Sequence, residues 1–314
     1  MAILKLKAPG KAYLWGGRRL IEEYNKSADS NILAETWELS CYPGNSSIIE
    51  NGELAGISLA EYIDIKGRTV LGKNCEGFRD FPVLIKFIDA KDKLSIQVHP
   101  NDEYALKNEG QNGKTEMWYV LDAEPGAFLY YGFRKDIPKE EFRSRIENNT
   151  LLEVLNKVEV SKGDVFFIEA GTLHAIGAGI MIAEIQQNSN VTYRVYDYAR
   201  CDKDGKTREL HIDKALDVTN RFFPKNVESP VPHLAKCKYF TVDKLSLSGK
   251  LTDCIRGIVG DETFMHLLIL DGEGRIKNGT DEIGYIKGDS FFIPAGSGEY
   301  ELHGKCEALI TYES

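Results

Sequence analysis

The twelve residues Gly163-Asp164-Val165-Phe166-Phe167-Ile168-Glu169-Ala170-Gly171-Thr172-Leu173-His174 return near the end of the chain as Gly288-Asp289-Ser290-Phe291-Phe292-Ile293-Pro294-Ala295-Gly296-Ser297-Gly298-Glu299. Seven of the twelve positions are identical: Gly, Asp, Phe, Phe, Ile, Ala and Gly. In each copy a turn glycine leads into a short apolar strand, and an Ala-Gly turn leads out of it. Upstream, Tyr119-Val120-Leu121-Asp122 is echoed by Leu268-Ile269-Leu270-Asp271. Self-similarity of this kind implies two copies of one β-module. The copies differ where polar side chains matter: His174 becomes Glu299, and Glu116 aligns with Met265.

Moving outward from the first copy, Phe81 to Ala90 is an apolar run broken by Lys86, and Leu94-Ser95-Ile96-Gln97-Val98-His99-Pro100 alternates strictly. On a strand, Leu94, Ile96 and Val98 lie on one face and Ser95, Gln97 and His99 on the other. Strands are also expected over Thr115–Leu121 and Ala127–Tyr131, and again from Val158. Helices are expected at Arg18–Tyr24, after an N-cap at Ser58, at Pro138–Ile146 and Leu151–Leu155, and at Ile212–Val218. Everything after about Leu234 reads as short strands. Pro224 and Ser229-Pro230-Val231-Pro232 suggest a boundary, giving a first domain over 1–225 with a helical insertion and a second over 226–314.

Gln97 and His99, two apart on a strand, project to the same side; Glu116 opens the next long strand and His174 closes a later one. A single inward histidine is more often a hydrogen-bonded core residue than a ligand. Two imidazoles, a carboxylate and an amide oxygen together suit a divalent metal with positions left open for water or substrate. With no thiolate in the set, zinc is the first choice, one per chain, and Mn, Fe and Co stay open. His211, His233, His266 and His303 lack such partners and read as surface or packing residues. Lys86 interrupts an aliphatic strand on the side of Leu84 and Ile88, where a solvated lysine is not expected. An edge-strand lysine is the alternative.

Composition narrows the partners. The 314 residues carry 39 Lys plus Arg against 48 Asp plus Glu, a net charge of −9. Such a surface does not draw in nucleic acid or anionic membrane. The N-terminal residues show no apolar export segment, and no apolar run approaches the roughly 20 residues that span a bilayer. The six cysteines are scattered without a C-x-x-C pair, as in a reduced, cytoplasmic protein. Nothing in the sequence sets an oligomeric state.

The Gly163–His174 pattern resembles the second half of the cupin signature, which implies a mainly β fold of two cupin (jelly-roll) modules, with a few helices inserted in the first. The second module, having lost His and Glu at the aligned positions, is expected to be degenerate and without metal. Phe81-Pro82-Val83-Leu84-Ile85-Lys86, Leu94 to Asn101, Lys114-Thr115-Glu116 and Glu184-Ile185-Gln186-Gln187-Asn188-Ser189 with Arg194 look like type I mannose-6-phosphate isomerase in its short bacterial form. The resemblance implies a zinc-dependent aldose–ketose isomerase that interconverts mannose 6-phosphate and fructose 6-phosphate. It places the metal on Gln97, His99, Glu116 and His174, and lines the active site with Lys86, Lys114 and Arg194. Such chemistry builds negative charge on sugar oxygens, which a metal and fixed cations stabilise. Lys114 alone reads equally as a surface lysine, and Arg194, among Tyr193, Val195 and Tyr196, equally as a stacking residue. The family often reads Asn-Ser-Asp where this chain has Asn188-Ser189-Asn190, and an amide does not titrate. The base then falls to Lys114, Glu184 or a metal-bound hydroxide. Another metal-dependent cupin enzyme, or a cupin that binds a sugar phosphate without turnover, is the alternative.

Overall fold

Glycine at 163 and 288 is required by the backbone. Their φ values are 95° and 93°, a region costly for any residue with a Cβ. The tight turns they make are alike to the hydrogen bond. Gly163 N donates to Val120 O at 2.8 Å and Gly288 N to Ile269 O at 2.9 Å; Val120 N donates to Asp164 O and Ile269 N to Asp289 O, both at 2.9 Å. The aspartate side chain closes each turn, Asp164 Oδ2 accepting from Ser161 N and Asp289 Oδ2 from Ile286 N.

The computed structural model describes residues 3–201, 205–224, 230–250 and 254–314. Strands β1 (Leu4–Lys7), β2 (Gly10–Lys11), β3 (Glu35–Leu39) and β4 (Ile48–Ile49) precede β5 (Val83–Ala90). Helices α1 (Arg19–Tyr24) and α2 (Leu59–Lys66) lie between them, α2 opened by a capping box between Ser58 and Glu61. Then come β6 (Ile96–Val98), α3 (Asp102–Glu109), β7 (Glu116–Ala123), β8 (Phe128–Phe133), α4 (Lys139–Glu147), β9 (Leu155–Glu159), β10 (Val165–Ile168), β11 (His174–Ile176), β12 (Ile180–Gln187), β13 (Tyr193–Tyr196) and α5 (Ile212–Val218). The C-terminal strands are β14 (Ala235–Lys236), β15 (Thr241–Ser248), β16 (Cys254–Val259), β17 (Met265–Asn278), β18 (Asp281–Ile286), β19 (Ser290–Ile293) and β20 (Gly298–Tyr312). No helix among the described residues is long and apolar enough to cross a membrane.

The chain divides into two compact units, and neither is one continuous stretch. The first comprises residues 1–11, 18–87 and 229–314; the second, residues 12–17 and 88–228. The expected boundary at 225/226 lies outside the described residues. Within the first unit runs a nine-stranded sheet ordered β14-β15-β20-β17-β19-β1-β4, with β16 on β20 and β18 on β17. Within the second, β10-β7-β12 form one layer and β13-β6-β11-β8-β9 the other, the two-layer arrangement of a jelly roll.

In the second unit the helical insertion covers one face. Ile96 and Val98 of β6 pack with Phe142 and Ile146 of α4 and Ala215 and Leu216 of α5, all buried. Each of these apolar side chains larger than alanine stabilises by roughly 1.5–3 kcal/mol when fully buried. Because side chains alternate, covering Ile96 and Val98 turns Gln97 to the opposite face.

Several elements differ from expectation. Leu151–Glu153 is a single 3-10 turn rather than a helix, and the next strand starts at Leu155, not Val158. The C-terminal strands are not all short: β17 has 14 residues and β20 has 15. A register shift between Ile269 and Asp271 lets that pair bend without ending, which a run interrupted by Gly272, Gly274 and Gly304 disguises. His266 is fully buried, its Nε2 hydrogen-bonded with Ser290 Oγ at 2.8 Å.

The strand pairing fixes which residues of the two modules correspond. Ile168 lies opposite Glu116 as Ile293 lies opposite Met265, and Gly171 N donates to His99 O as Gly296 N does to Gly260 O. His174 faces Gln97 across its strand pair, and Glu299 faces Ile258. The second module therefore has Ile258, Gly260, Met265 and Glu299 where the first has Gln97, His99, Glu116 and His174. Met265 packs in an apolar cluster with Leu267, Ile269, Phe291 and Tyr300. Glu299 and Ile258 are exposed, so Tyr300 takes the inward direction that His174 has in the first copy.

Candidate metal centre

Three polar side chains meet in the second unit. His99, Glu116 and His174 are each at most 1% exposed, and their ligating atoms lie within 4.8 Å of one another. His99 follows β6, Glu116 opens β7 and His174 opens β11, so the two layers bring them together.

Main-chain carbonyls set both imidazoles. Val191 O lies 2.8 Å from His99 Nδ1, and Thr172 O lies 2.8 Å from His174 Nδ1. A carbonyl only accepts, so Nδ1 carries the proton in both rings and each Nε2 presents a lone pair. Those lone pairs face a carboxylate: His99 Nε2 is 3.6 Å from Glu116 Oε2, and His174 Nε2 is 3.3 Å from Glu116 Oε1. Among the described residues no hydrogen-bond donor reaches His174 Nε2. Burial pushes the His174 pKa down to about 4, with the Lys114 charge adding to the effect, so the ring is neutral at pH 7. Lys114 approaches the Glu116 Oε2 and His99 side of this group, while His174 Nε2 and Glu116 Oε1 lie 3.3 Å apart with no donor between them among the described residues. The donor set therefore fits a divalent metal, with each imidazole oriented by the hydrogen bond on its other nitrogen.

Gln97 is half-buried, with its Cα directly across from His174 on one side and Arg194 on the other. Residues opposite each other in antiparallel strands share a face, so all three side chains point the same way. Arg194 donates through Nε to Ser95 Oγ at 3.2 Å and through Nη1 to Glu209 O at 3.0 Å. Both acceptors are neutral, and burial together with the nearby Arg208 charge lowers its pKa. A stacking role for Arg194 is not what these contacts describe.

Lys114 is buried rather than superficial. Its Nζ lies 2.5 Å from Glu116 Oε2, 3.1 Å from His99 Nε2 and 3.7 Å from Glu184 Oε1. Glu184, on β12, accepts from Trp118 Nε1 at 3.0 Å. The residue after Lys114 is tied to the end of β12, Thr115 N donating to Gln187 Oε1 and Gln187 N to Thr115 O. Asn190 is exposed, so the departure from Asn-Ser-Asp falls on a solvated side chain. Lys86 lies in the first unit, 5% exposed, with Nζ 3.9 Å from Glu35 Oε2 and 5.3 Å from the centre of the Trp37 ring. It is not an edge lysine.

The sequence points to seven residues: Gln97, His99, Glu116 and His174 for the metal, and Lys86, Lys114 and Arg194 from the resemblance. The structure brings His99, Glu116, His174 and Lys114 into contact and places Gln97 and Arg194 on strands beside them. The sequence did not reveal the carbonyls of Val191 and Thr172, nor the Trp118–Glu184 contact. It also passed over Arg200 and Arg208, both of which grip Asp197; a local excess of arginine in an acidic chain was the available signal.

Residues 3–125 match the family described as phosphomannose isomerase type I, catalytic domain, and residues 231–313 match mannose-6-phosphate isomerase, cupin domain. Mannose-6-phosphate isomerase ManA of Bacillus subtilis is 37% identical over 314 residues, covering 96% of each chain. The mannose-6-phosphate isomerase of Streptococcus mutans is 37% identical over 313 residues, covering 96% of this chain and 95% of that one. A crystal structure of the mannose 6-phosphate isomerase from Bacillus subtilis superposes with a TM-score of 0.87 at 32% identity, covering 99% of both chains. With two family matches, near-complete relatives and a buried His-Glu-His set, this chain belongs to the type I mannose-6-phosphate isomerase family of metal-dependent aldose–ketose isomerases.

Proposed function

We propose that the chain interconverts mannose 6-phosphate and fructose 6-phosphate with one zinc ion per chain, held by Gln97, His99, Glu116 and His174. The observation that carries this is the convergence of two imidazole lone pairs on one buried carboxylate, with a lysine ammonium beside it. Two nitrogen and two oxygen donors without thiolate suit zinc. When bound, the metal polarises the sugar oxygens on which negative charge develops.

The residues of the chain do the rest. C2 of the open-chain aldose gives up its proton while charge builds on O1. The hydroxyl proton passes from O2 to O1 and the proton taken from C2 is returned to C1, leaving O2 as the ketone oxygen with no atom gained or lost. We assign proton handling to the Lys114–Glu184 pair, which Trp118 Nε1 orients. The Lys114 ammonium also offsets charge on the enediolate oxygens in a site without bulk water. Arg194 and His174 sit on strands either side of β6, so their backbones are separated by about two strand spacings, on the order of 10 Å. That spacing suits a six-carbon substrate reacting at one end and carrying phosphate at the other, with Arg194 on the phosphate. Lys86, buried against Trp37, is assigned to the active site on the family resemblance alone. The second module is assigned no metal, because Ile258, Gly260, Met265 and Glu299 stand at the four positions. A phosphorylated substrate and six free thiols fit a cytoplasmic setting.

The test is coupled turnover of mannose 6-phosphate to fructose 6-phosphate, with metal content measured alongside, before and after chelation and zinc add-back. Activity lost with the metal and regained with zinc supports the assignment. A chain that binds zinc at one equivalent yet shows no turnover overturns it.

A further inference from the structure

Beside Arg194 lies a charged cluster outside the metal centre. Asp197, 5% exposed, receives Arg200 through Nε at 3.2 Å and Nη2 at 2.5 Å, and Arg208 through Nε at 2.7 Å and Nη2 at 2.6 Å. One buried carboxylate thus takes two guanidinium groups, each by two nitrogens. Ordinary ion pairing needs one cation per carboxylate, so this cluster carries surplus positive charge. Arg194 adds a third guanidinium that donates to neutral oxygens. Counting Arg194, Arg200 and Arg208 as +3 and Asp197 as −1 leaves +2. Asp92, 57% exposed and 3.9 Å from Arg200, is a weak solvated partner at the margin, and Glu209 lies at the margin of Arg194.

The arrangement is braced from the outside too. Arg200 Nη1 donates to Lys93 O at 2.6 Å, and both Lys93 Nζ and the Arg200 guanidinium lie over the Tyr198 ring. Burial pushes Asp197 up, but its hydrogen bonds from Arg208 and Arg200 outweigh this and hold it below the usual carboxylate range. It is a fixed anion at working pH.

We infer that Asp197 is a positioning residue that holds Arg200 and Arg208 next to Arg194, forming a three-arginine cradle for the dianionic phosphate of the substrate. This rests on the isomerase reading and extends it. A phosphate monoester carries about −1.5 to −2 at pH 7, which matches the surplus. Guanidinium groups held in place by a carboxylate lose little rotamer freedom on binding, so the anion meets a preorganised site. Phosphate is remote from the reacting carbons, and its loss should therefore appear in binding rather than in the chemical step.

The experiment compares the wild-type chain with Asp197→Asn, Asp197→Glu and Arg208→Gln. Inorganic phosphate binding is measured by calorimetry and as competitive inhibition, and KM and kcat for mannose 6-phosphate are measured in parallel. In D197N we expect KM and the phosphate inhibition constant to rise together by about 10-fold to 100-fold, with kcat within about threefold. D197E should recover part of the loss, because it restores the charge. Should D197N not fold, R208Q, whose side chain is 37% exposed, carries the test: a rise of about 10-fold in both constants is expected. KM and phosphate affinity unchanged in R208Q, or in a folded D197N, would overturn the inference. So would a fall in melting temperature with apparent kcat lowered but KM and phosphate affinity unchanged, the mark of a merely structural role. A wild-type chain that binds inorganic phosphate without turnover would count against the isomerase reading and leave the cradle standing.

Discussion

Met265 occupies in the second module the place that Glu116 has in the first, and exchanging one for the other isolates what the surroundings contribute. In Met265→Glu the apolar methionine surface is lost from a cluster of Leu267, Ile269, Phe291 and Tyr300, which removes about 1.5–3 kcal/mol. A carboxyl group without a partner in that cluster adds roughly 1–3 kcal/mol even when protonated. Keeping it protonated at pH 7 costs a further 1.4 kcal/mol or so per pH unit above its unfolded pKa of about 4.3, or about 3–4 kcal/mol. The total at pH 7 is about 5–10 kcal/mol, enough to unfold many domains. The sign is testable. Burial raises the folded-state pKa above the unfolded value, so the folded form binds more protons between the two. Its stability is highest below about pH 4.3 and falls as pH rises toward the folded pKa. Urea unfolding of M265E and wild type at pH 5, 6 and 7 should show a penalty that grows with pH, whereas Met265→Leu should cost under about 1.5 kcal/mol at every pH. A penalty for M265E that is flat across pH, or zinc bound by the second module, would refute the view that this interior is hydrocarbon and not a polar site.

His174→Ala should leave the fold in place but lower metal content to well below one equivalent, measured by atomic emission on the chelated and reloaded chain. Full retention would remove His174 from the ligand set. Gly288→Ala should destabilise more than Gly163→Ala. Both incur the positive-φ cost of about 1–2 kcal/mol, but a Cβ at 288 would meet Tyr24 O at 2.3 Å while at 163 it meets nothing closer than Tyr119 Oη at 4.0 Å. Equal shifts in urea midpoint would contradict this. Trp118→Phe keeps the ring against His174 but removes the donor to Glu184, and we expect kcat to fall by about tenfold with KM little changed. An unaltered kcat would detach Glu184 from proton handling.

Side chains were more legible than main chain. The repeat predicted the tight turns at Gly163 and Gly288, and alternation in Leu94–Val98 predicted which face Gln97 takes, because period-two patterning maps directly onto a pleated strand. The helix at Ile212–Val218 stands where its spacing placed it. Lys114 was ambiguous, since a lysine after a Gly-rich turn gives no hint that Glu116 and Glu184 lie beside it. The length of β17 and β20 was hidden by glycines that bend a strand as readily as they end it. Chain grouping was beyond reach for a different reason: residues 1–11 join the C-terminal strands through β1 on β19, and residues 18–87 join them in turn through β4 on β1, long-range pairing that no local pattern records.

The two histidine rings are steered by the peptide carbonyls of residues 172 and 191, and this sets a blind spot for mutagenesis. An alanine scan would pass through Thr172 and Val191 leaving both carbonyls in place, and would score neither position as important to the imidazoles. Sensitivity should appear instead where the path of the backbone changes: insertions or deletions in 187–191, or between Ala170 and His174. Sequence drift at the two positions is therefore cheap for this protein, while drift in loop length is not.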